Sequence, residues 1–180
     1  MKAPKEFPCM FTHVQISEMV TRIARSIEKQ VPEEEEIVCI GVLKGAWIFH
    51  SDLVREIKRP VSIDFVKASS YGNQMISSGV VRIEKDIETD IQGKHVFLVE
   101  DIIDTGRTLK FLKARLSEGG AKSVSLVALL DKKVKREVDC DADLVGAVIE
   151  DKFVVGYGLD WAERYRTLPD IHFVPEDYAK

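Results

Sequence analysis

The chain has 180 residues, of which 45% are hydrophobic and 31% charged, and its formal net charge is −4. This length suits one soluble globular domain that folds without a disulfide or metal staple, and the acidic balance disfavours a general nucleic-acid-binding protein. The three cysteines are widely spaced and form no Cys-x-x-Cys pair, which disfavours a disulfide framework and fits a reducing compartment. The sequence has neither an apolar signal region nor a stretch of about 20 apolar residues, so we expect a cytoplasmic protein without a membrane segment.

Helices and strands alternate along the chain. Apolar residues at helical spacing predict a first helix over 16–31, capped by Ser17 and followed by a solvated acidic turn over 33–36. Two further helices are predicted over 46–57 and 109–118. The predicted strands cover 37–43, 61–68, 80–87, 96–99, 124–130 and 144–149. This alternation indicates an α/β fold with a mostly parallel central sheet flanked by helices.

Charged and hydroxyl-bearing residues follow most of the predicted strands. Ligands of parallel sheets bind beyond the carboxyl ends of the strands, so these residues are candidates for a site. The strand ends are Leu43-Lys44-Gly45, Ser70-Tyr71, Glu100-Asp101, Asp131-Lys132 and Glu150-Asp151-Lys152.

The segment 99–108 reads Val-Glu-Asp-Ile-Ile-Asp-Thr-Gly-Arg-Thr and joins a buried strand to a helix. Unpaired N–H groups at a helix start can hold a phosphate, and Gly106 allows a close backbone approach. The carboxylates of Glu100 and Asp101 can accept hydrogen bonds from ribose hydroxyls or from water on Mg²⁺. The alternative, an acidic turn before a capped helix, does not explain why three carboxylates gather there despite their mutual repulsion. The segment therefore indicates a sugar-phosphate site.

The same segment resembles the phosphoribosyl-pyrophosphate signature of the phosphoribosyltransferases. Three other segments resemble the hypoxanthine-guanine branch of that family: Leu-Lys-Gly-Ala at 43–46, Ser-Ser-Tyr-Gly at 69–72 and Asp-Lys-Phe-Val-Val-Gly-Tyr-Gly-Leu-Asp at 151–160. Their order and spacing match the family from about residue 10 to 175. The resemblance implies a type I phosphoribosyltransferase fold as a single domain over 1–180. It also implies a small hood from about 1–15 and 150–180, and a mobile lid over about 70–80.

The resemblance also implies a role for each matching residue. Asp104 would be the general acid/base near N7 of the purine. The phosphoribosyl group and its 5′-phosphate would be bound by Glu100, Asp101, Thr105, Gly106, Arg107 and Thr108. Pyrophosphate would meet Lys44, Gly45 and Arg166, with a cis peptide between Leu43 and Lys44. The purine would meet Lys132, Phe153, Val154 and Asp160, and the lid would begin at Ser70 and Tyr71. Glu100 and Asp101 would hold the Mg²⁺ bound at the ribose, and Asp160 would hold a second Mg²⁺.

The implied activity is Mg²⁺-dependent purine salvage. Phosphoribosyl pyrophosphate would react at N9 of hypoxanthine or guanine to give IMP or GMP plus pyrophosphate, in a homodimer or homotetramer without nucleic-acid or membrane partners. Two alternatives stay open: a xanthine-preferring transferase, and a non-catalytic regulator that senses phosphoribosyl pyrophosphate. The retained Asp104, Lys132, Phe153 and Asp160 disfavour the regulator.

The cysteines and histidines outside these motifs give little support for another site. Cys39 lies in an apolar run and is expected to be a buried, inert thiol. Cys9 and His13 have helical i, i+4 spacing, but no third ligand is near them in the sequence. We therefore do not expect a metal site there.

Overall fold

The computed structural model describes residues 3–70 and 81–178, apart from the side chain of Ser70. The helices are α1 (His13–Gln30), α2 (Trp47–Glu56) and α3 (Arg107–Glu118). The strands are β1 (Cys9–Phe11), β2 (Ile37–Val42), β3 (Val61–Ser70), β4 (Val81–Lys85), β5 (His95–Ile103), β6 (Ser123–Asp131), β7 (Leu144–Val148), β8 (Val154–Val155) and β9 (Ile171–Phe173). Single 3₁₀ turns lie at Lys133–Lys135 and Glu176–Tyr178.

Six of these strands form the central sheet, in the order β4-β3-β2-β5-β6-β7. Every pair is parallel except β3 with β4, which is antiparallel. The other three strands form a small antiparallel sheet in the order β1-β9-β8. The predicted α/β fold with a mostly parallel sheet and flanking helices is confirmed.

Both faces are covered at the centre of the sheet, which explains why β2, β5 and β6 contain continuous apolar runs. Along β2, Ile37 and Cys39 join one core with α1 and α2, whereas Val38 and Ile40 join a second core with α3. The helices bury one stripe each: Ile16, Val20, Ile23, Ala24 and Ile27 on α1, Phe49 and Leu53 on α2, and Leu109, Leu112 and Leu116 on α3. Each large apolar side chain contributes about 1.5–3 kcal/mol when fully buried. Cys39 is one of the buried residues, and burial raises the pKa of its thiol to about 12.

The start of α1 was predicted wrongly. The helix begins at His13 and its cap is Thr12, not Ser17, which lies exposed within the helix. Thr12 and Gln15 form a reciprocal capping box, in which each side chain accepts a hydrogen bond from the other residue's backbone N–H. The one apolar residue before Ile16 in this helix, Val14, is exposed and lies off the buried stripe, so the apolar periodicity that begins at Ile16 does not reveal the first turn.

Two boundaries near the predicted site also differ from the prediction. Strand β5 continues to Ile103, so Glu100 and Asp101 belong to the strand and do not follow it. Helix α3 begins at Arg107, two residues before the predicted start.

Within the predicted acidic turn, Glu35 is not simply solvated, because it binds His95 and Lys122. Among residues 3–70 and 81–178, no helix has both the length and the apolar character needed to cross a bilayer.

Candidate active site

Three chain segments meet at the carboxyl edge of the central sheet, beyond β2 and β5. Gly45 packs so closely on the Asp101 side chain that a Cβ on this glycine would lie 2.5 Å from the carboxyl carbon. A Cβ on Gly158 would in turn overlap the carbonyl oxygen of Gly45. The peptide between Leu43 and Lys44 is cis. The resemblance to the phosphoribosyltransferases implied this cis bond; periodicity and spacing gave no sign of it.

The loop between β5 and α3 forms a hollow of about 140 Å³ at the helix N-terminus. It is lined by Glu100, Ile102, Ile103, Asp104, Thr105, Gly106, Thr108 and Leu109. Gly106 stands at the N-cap of α3 with φ +80°, a left-handed conformation that glycine adopts without strain. The helix therefore presents its first N–H groups to this hollow, which suits an anion.

Arg136, which the sequence analysis did not single out, contacts the loop between β5 and α3 and fixes its backbone. Its guanidinium donates to the backbone oxygen of Asp104 at 3.2 Å and forms an ion pair with the buried Asp131. The neighbouring Glu137 donates its backbone N–H to the Thr105 oxygen at 3.1 Å, and its carboxylate binds Arg107 Nε at 2.6 Å. A sequence signal for Arg136 was missing because it follows the basic residues Lys133 and Lys135, which are typical of a solvated surface.

Glu100 and Asp101 place two carboxylates close together, with Glu100 half-buried and Asp101 buried. Asp101 is only 8% exposed. Burial raises the pKa of Glu100, and the neighbouring Asp101 carboxylate raises it further. Burial also raises the pKa of Asp101, against the lowering effect of its hydrogen bonds and of Arg166. Two such carboxylates need a cation or hydroxyl ligands to be fully ionised together.

Two basic residues from distant segments are joined by one carboxylate. Lys44 Nζ lies 3.1 Å from Glu163 Oε1, and the Arg166 guanidinium lies 3.4 Å from Glu163 Oε2. Arg166 also binds Asp160 at 2.8 Å and the Gly158 oxygen at 2.8 Å. The hydrogen bond from Lys44 is the main cause of the lowered pKa of Glu163. The two cations predicted for pyrophosphate are therefore already gathered around an anion.

Glu163 is a further residue that the sequence analysis missed. It lies in an irregular segment without periodicity, so only its short distance from Arg166 in the sequence hinted at a pairing. Its φ is +63°, a conformation that non-glycine residues rarely adopt and that often marks a functional constraint.

Of the residues predicted for the purine, Lys132 contacts the lining of the hollow before α3, because its backbone N–H donates to the Ile103 oxygen at 2.9 Å. Lys132 is 6% exposed, and its Nζ lies 3.9 Å from Asp151 Oδ1. Burial lowers the pKa of Lys132, while the negative charge of Asp104 acts in the opposite direction. Among the described residues, Asp104 Oδ1 is buried and has no hydrogen-bond partner. The Phe153 ring is 45% exposed, next to the buried Val154 of β8.

The predicted lid residues contribute little to this picture. Tyr71 lies outside the described residues, and for Ser70 only the backbone of β3 is described. Lys133 and Lys135 are exposed as expected, although Lys135 forms an ion pair with Asp151 at 3.0 Å.

An α/β sheet that brings a helix start suited to an anion, paired carboxylates and clustered cations to one edge is typical of proteins that bind phosphorylated sugars. The chain belongs to the phosphoribosyl transferase domain family, which it matches over residues 11–162. It is 45% identical to the hypoxanthine-guanine phosphoribosyltransferase of Aquifex aeolicus, over 96% of this chain and 97% of that protein. Among solved structures, it resembles a hypoxanthine phosphoribosyltransferase from Staphylococcus aureus with a TM-score of 0.91 and 38% identity, over 96% of this chain and 94% of that one. It also resembles a hypoxanthine-guanine phosphoribosyltransferase from Bacillus anthracis with a TM-score of 0.88 and 48% identity, over 93% and 98% of the two chains.

Proposed function

We propose that this protein transfers the 5-phosphoribosyl group from phosphoribosyl pyrophosphate to N9 of hypoxanthine or guanine, giving IMP or GMP and pyrophosphate. The observation that carries the proposal is the meeting of 43–45, 100–108 and 158–166 at one edge of the sheet. Each segment supplies one chemical requirement: an anion cradle, carboxylates for a diol or a cation, and basic groups for a leaving pyrophosphate. The choice of hypoxanthine and guanine as the bases is supported by the similarity to hypoxanthine-guanine phosphoribosyltransferases.

The phosphoribosyl group would bind in the hollow before α3. The N–H groups and hydroxyls of Thr105 to Thr108 would hold the 5′-phosphate, with the helix dipole favouring its charge. Glu100 and Asp101 would accept hydrogen bonds from the ribose hydroxyls. Arg136 supports this geometry because it holds the Asp104 backbone from outside the hollow.

Pyrophosphate would meet Lys44, the backbone at Gly45, and Arg166. A guanidinium suits this anion because its donors form a planar fork. Glu163 occupies both cations in the structure. A bound pyrophosphate group would replace the Glu163 carboxylate. Glu163 therefore keeps the two cations close together before pyrophosphate binds.

The residues at this edge also fit Mg²⁺. Glu100 and Asp101 offer hard oxygen ligands, and their buried, mutually repelling charges would be offset by a cation. Asp160 does not form a single three-carboxylate cluster with them among the described residues, so we assign it to a second ion. When bound, Mg²⁺ supplies neutralisation of the pyrophosphate charge that grows as the glycosidic carbon–oxygen bond breaks.

The purine would lie between Phe153 and the Asp104 carboxylate. The exposed Phe153 ring offers a face for stacking, the backbone at Val154 would read the edge of the base, and Lys132 would donate to O6. Asp104 would transfer the proton at N7, using the carboxyl oxygen that has no partner in the structure. Because Lys132 recognises an oxygen at C6, adenine would be a poor substrate.

We further propose that the small sheet β1-β9-β8 is the hood, because β8 directly follows Phe153. A lid over 70–80, a cytoplasmic location and a homodimer or homotetramer remain predictions. A xanthine-preferring transferase is the second candidate, since every residue named above would serve that base as well.

A product assay tests the proposal. The protein is incubated with phosphoribosyl pyrophosphate, Mg²⁺ and, in turn, hypoxanthine, guanine, xanthine or adenine, and each reaction is repeated with Mg²⁺ chelated. We expect Mg²⁺-dependent IMP and GMP and little AMP. Preferential formation of XMP would favour the second candidate. Binding of phosphoribosyl pyrophosphate without product from any base would instead support a non-catalytic regulator.

A further inference from the structure

We infer that Cys9, Asp170 and His172 form a second cation site, separate from the Mg²⁺ site, whose preferred ion is Zn²⁺. The ligand atoms of these three residues all lie within 4.8 Å of one another. Cys9 and His172 are paired across β1 and β9, and Asp170 immediately precedes β9. The residues are about 160 positions apart in the sequence, so the antiparallel pairing is what brings them together.

Two of the three ligands are already oriented by backbone hydrogen bonds. His172 Nδ1 lies 3.0 Å from the Phe7 oxygen, and the tautomer that donates this bond leaves Nε2 with a free lone pair. Asp170 Oδ1 accepts the backbone N–H of His13 at 2.7 Å, which directs the carboxylate towards the start of α1. Ligating histidines in metal sites usually donate their other N–H in this way, since it fixes both the tautomer and the ring orientation.

The sequence offered no third ligand near Cys9 and His13, but the fold brings Asp170 and His172 to Cys9. We assign His13 as a fourth ligand, which must first turn towards this cluster. Its Nδ1 lies 3.8 Å from Asp170 Oδ1, and its side chain is 68% exposed, so the ring is free to turn towards the cluster. With His13 the set becomes one thiolate, two imidazoles and one carboxylate, which is a tetrahedral donor set for zinc. Bonds of about 2.0–2.3 Å place such ligand atoms about 3.3–3.5 Å apart. The cluster therefore closes on an ion with shifts of roughly 1 Å.

The donor chemistry separates this site from the proposed Mg²⁺ site. Thiolate and imidazole favour borderline-soft ions such as Zn²⁺, whereas Mg²⁺ requires oxygen ligands. Burial, followed by the negative charge of Asp170, raises the pKa of the Cys9 thiol. A bound dication offsets both effects, and binding releases the thiol proton to solvent as the sulfur–zinc bond forms. The site shares none of the residues assigned to the transferase reaction.

Zinc at this position would join β1, β9 and the first turn of α1. Strand β9 also pairs with β8, where Val155 lies opposite His172 and Val154 lies opposite Phe173. An ion would therefore stabilise the sheet that carries the proposed purine-binding segment. Because a ligand that binds only the folded state raises its stability, Zn²⁺ should raise the melting temperature.

The test titrates ZnCl₂ into the full, chelator-treated chain in the presence of excess Mg²⁺, which occupies the oxygen-ligand site. Isothermal calorimetry and the melting temperature are measured for the wild type, for Cys9→Ser and for His172→Gln. Cys140→Ser is the matched control, since it removes a thiol outside the cluster. Asp170→Asn keeps an oxygen to accept the His13 N–H but removes the charge.

We expect the wild type and Cys140→Ser to bind one equivalent of Zn²⁺ and to melt at higher temperature with it. Cys9→Ser and His172→Gln should each weaken binding by about tenfold or more, as loss of metal-site partners does elsewhere, and should abolish the thermal shift. Asp170→Asn should weaken binding while the protein without zinc still melts at about the wild-type temperature.

Two results would overturn the inference. One is that the wild type binds no zinc under these conditions; the other is that Cys9→Ser and His172→Gln bind it as tightly as the wild type does. Should either variant fail to fold, Co²⁺ added to the wild type and to Cys140→Ser decides the question. A thiolate-to-cobalt charge-transfer absorption in both proteins supports ligation by Cys9, and its absence from either refutes it.

Discussion

Replacing Gly45 by alanine is the sharpest test of how the proposed site is built. The new Cβ would lie 2.5 Å from Asp101 Cγ and 2.8 Å from Oδ1, with Oδ2 closer still. Ordinary van der Waals contact starts at 3.4 Å. The Asp101 carboxyl group or the 43–45 segment must therefore move by roughly 1 Å or more, at a position where the side chain is only 8% exposed.

The movement should affect catalysis more than folding. Asp101 can rotate away, although this breaks its hydrogen bond from the Ile102 N–H, now 2.9 Å from Oδ1. The loss of one such bond costs about 1–3 kcal/mol, which a domain of this size withstands. A displacement of about 1 Å at groups that position a substrate can cost about 100-fold in rate. We therefore expect Gly45→Ala to lower kcat/KM by about 100-fold in a protein that still folds cooperatively.

The assay is Mg²⁺-dependent IMP formation, with thermal unfolding measured on the same preparations. Gly93→Ala is the matched control: Gly93 has φ +71°, so alanine costs about 1–2 kcal/mol of left-handed strain, but nothing lies within 4 Å of the added Cβ. Gly93 lies just before the amino end of β5, the end opposite the proposed site. The control should lose stability and keep kcat/KM. The reasoning is refuted if Gly45→Ala retains wild-type kcat/KM, or if Gly93→Ala loses as much activity.

Three further predictions concern single side chains. Asp104→Asn should lower turnover by at least about tenfold with the fold intact, because it removes the acid/base group; unchanged turnover would exclude that role. Phe153→Ala should weaken binding of the base more than binding of phosphoribosyl pyrophosphate, measured by calorimetry, and equal effects would argue against stacking. Burial raises the pKa of Asp64, but three backbone N–H donors and Lys85 more than compensate and hold it below its usual range. Its carboxylate therefore stabilises the fold above pH about 4, and this contribution is lost as the pH falls. Asp64→Asn should lower the free energy of unfolding by about 2 kcal/mol at pH 7. It should also make the free energy of unfolding fall less steeply as the pH drops below about 4. An unchanged midpoint of acid unfolding would contradict this.

The fold class was predictable from local patterns, and so was the edge of the sheet at which the proposed site lies. Period-3.6 and continuous apolar runs identify helices and doubly covered strands, because each pattern records which faces are buried. Charged residues after these strands then mark one edge of the sheet, since parallel strands share a direction. The match of 99–108 to a phosphoribosyl-pyrophosphate signature specified the chemistry, and the family assignment over residues 11–162 agrees with it.

The contacts within the site depended on the tertiary structure. β8 and β9 have two and three residues, too few for any period to emerge, and they exist because they pair with each other and with β1. Glu163 and Arg136 have the sequence context of surface charges. Folding places Glu163 between two cations and brings Arg136 against the Asp104 backbone in the loop between β5 and α3.

The sequence by itself determined the three helices and the six strands of the central sheet, and it marked the segment 99–108 as the candidate for a phosphorylated ligand, because burial and helix starts leave local signatures. Only the tertiary structure decided that Gly45 touches Asp101, and that Cys9 lies opposite His172. Both are contacts between residues far apart in the chain. Such contacts depend on strand order and register, and the local sequence around each residue does not identify its contact partner.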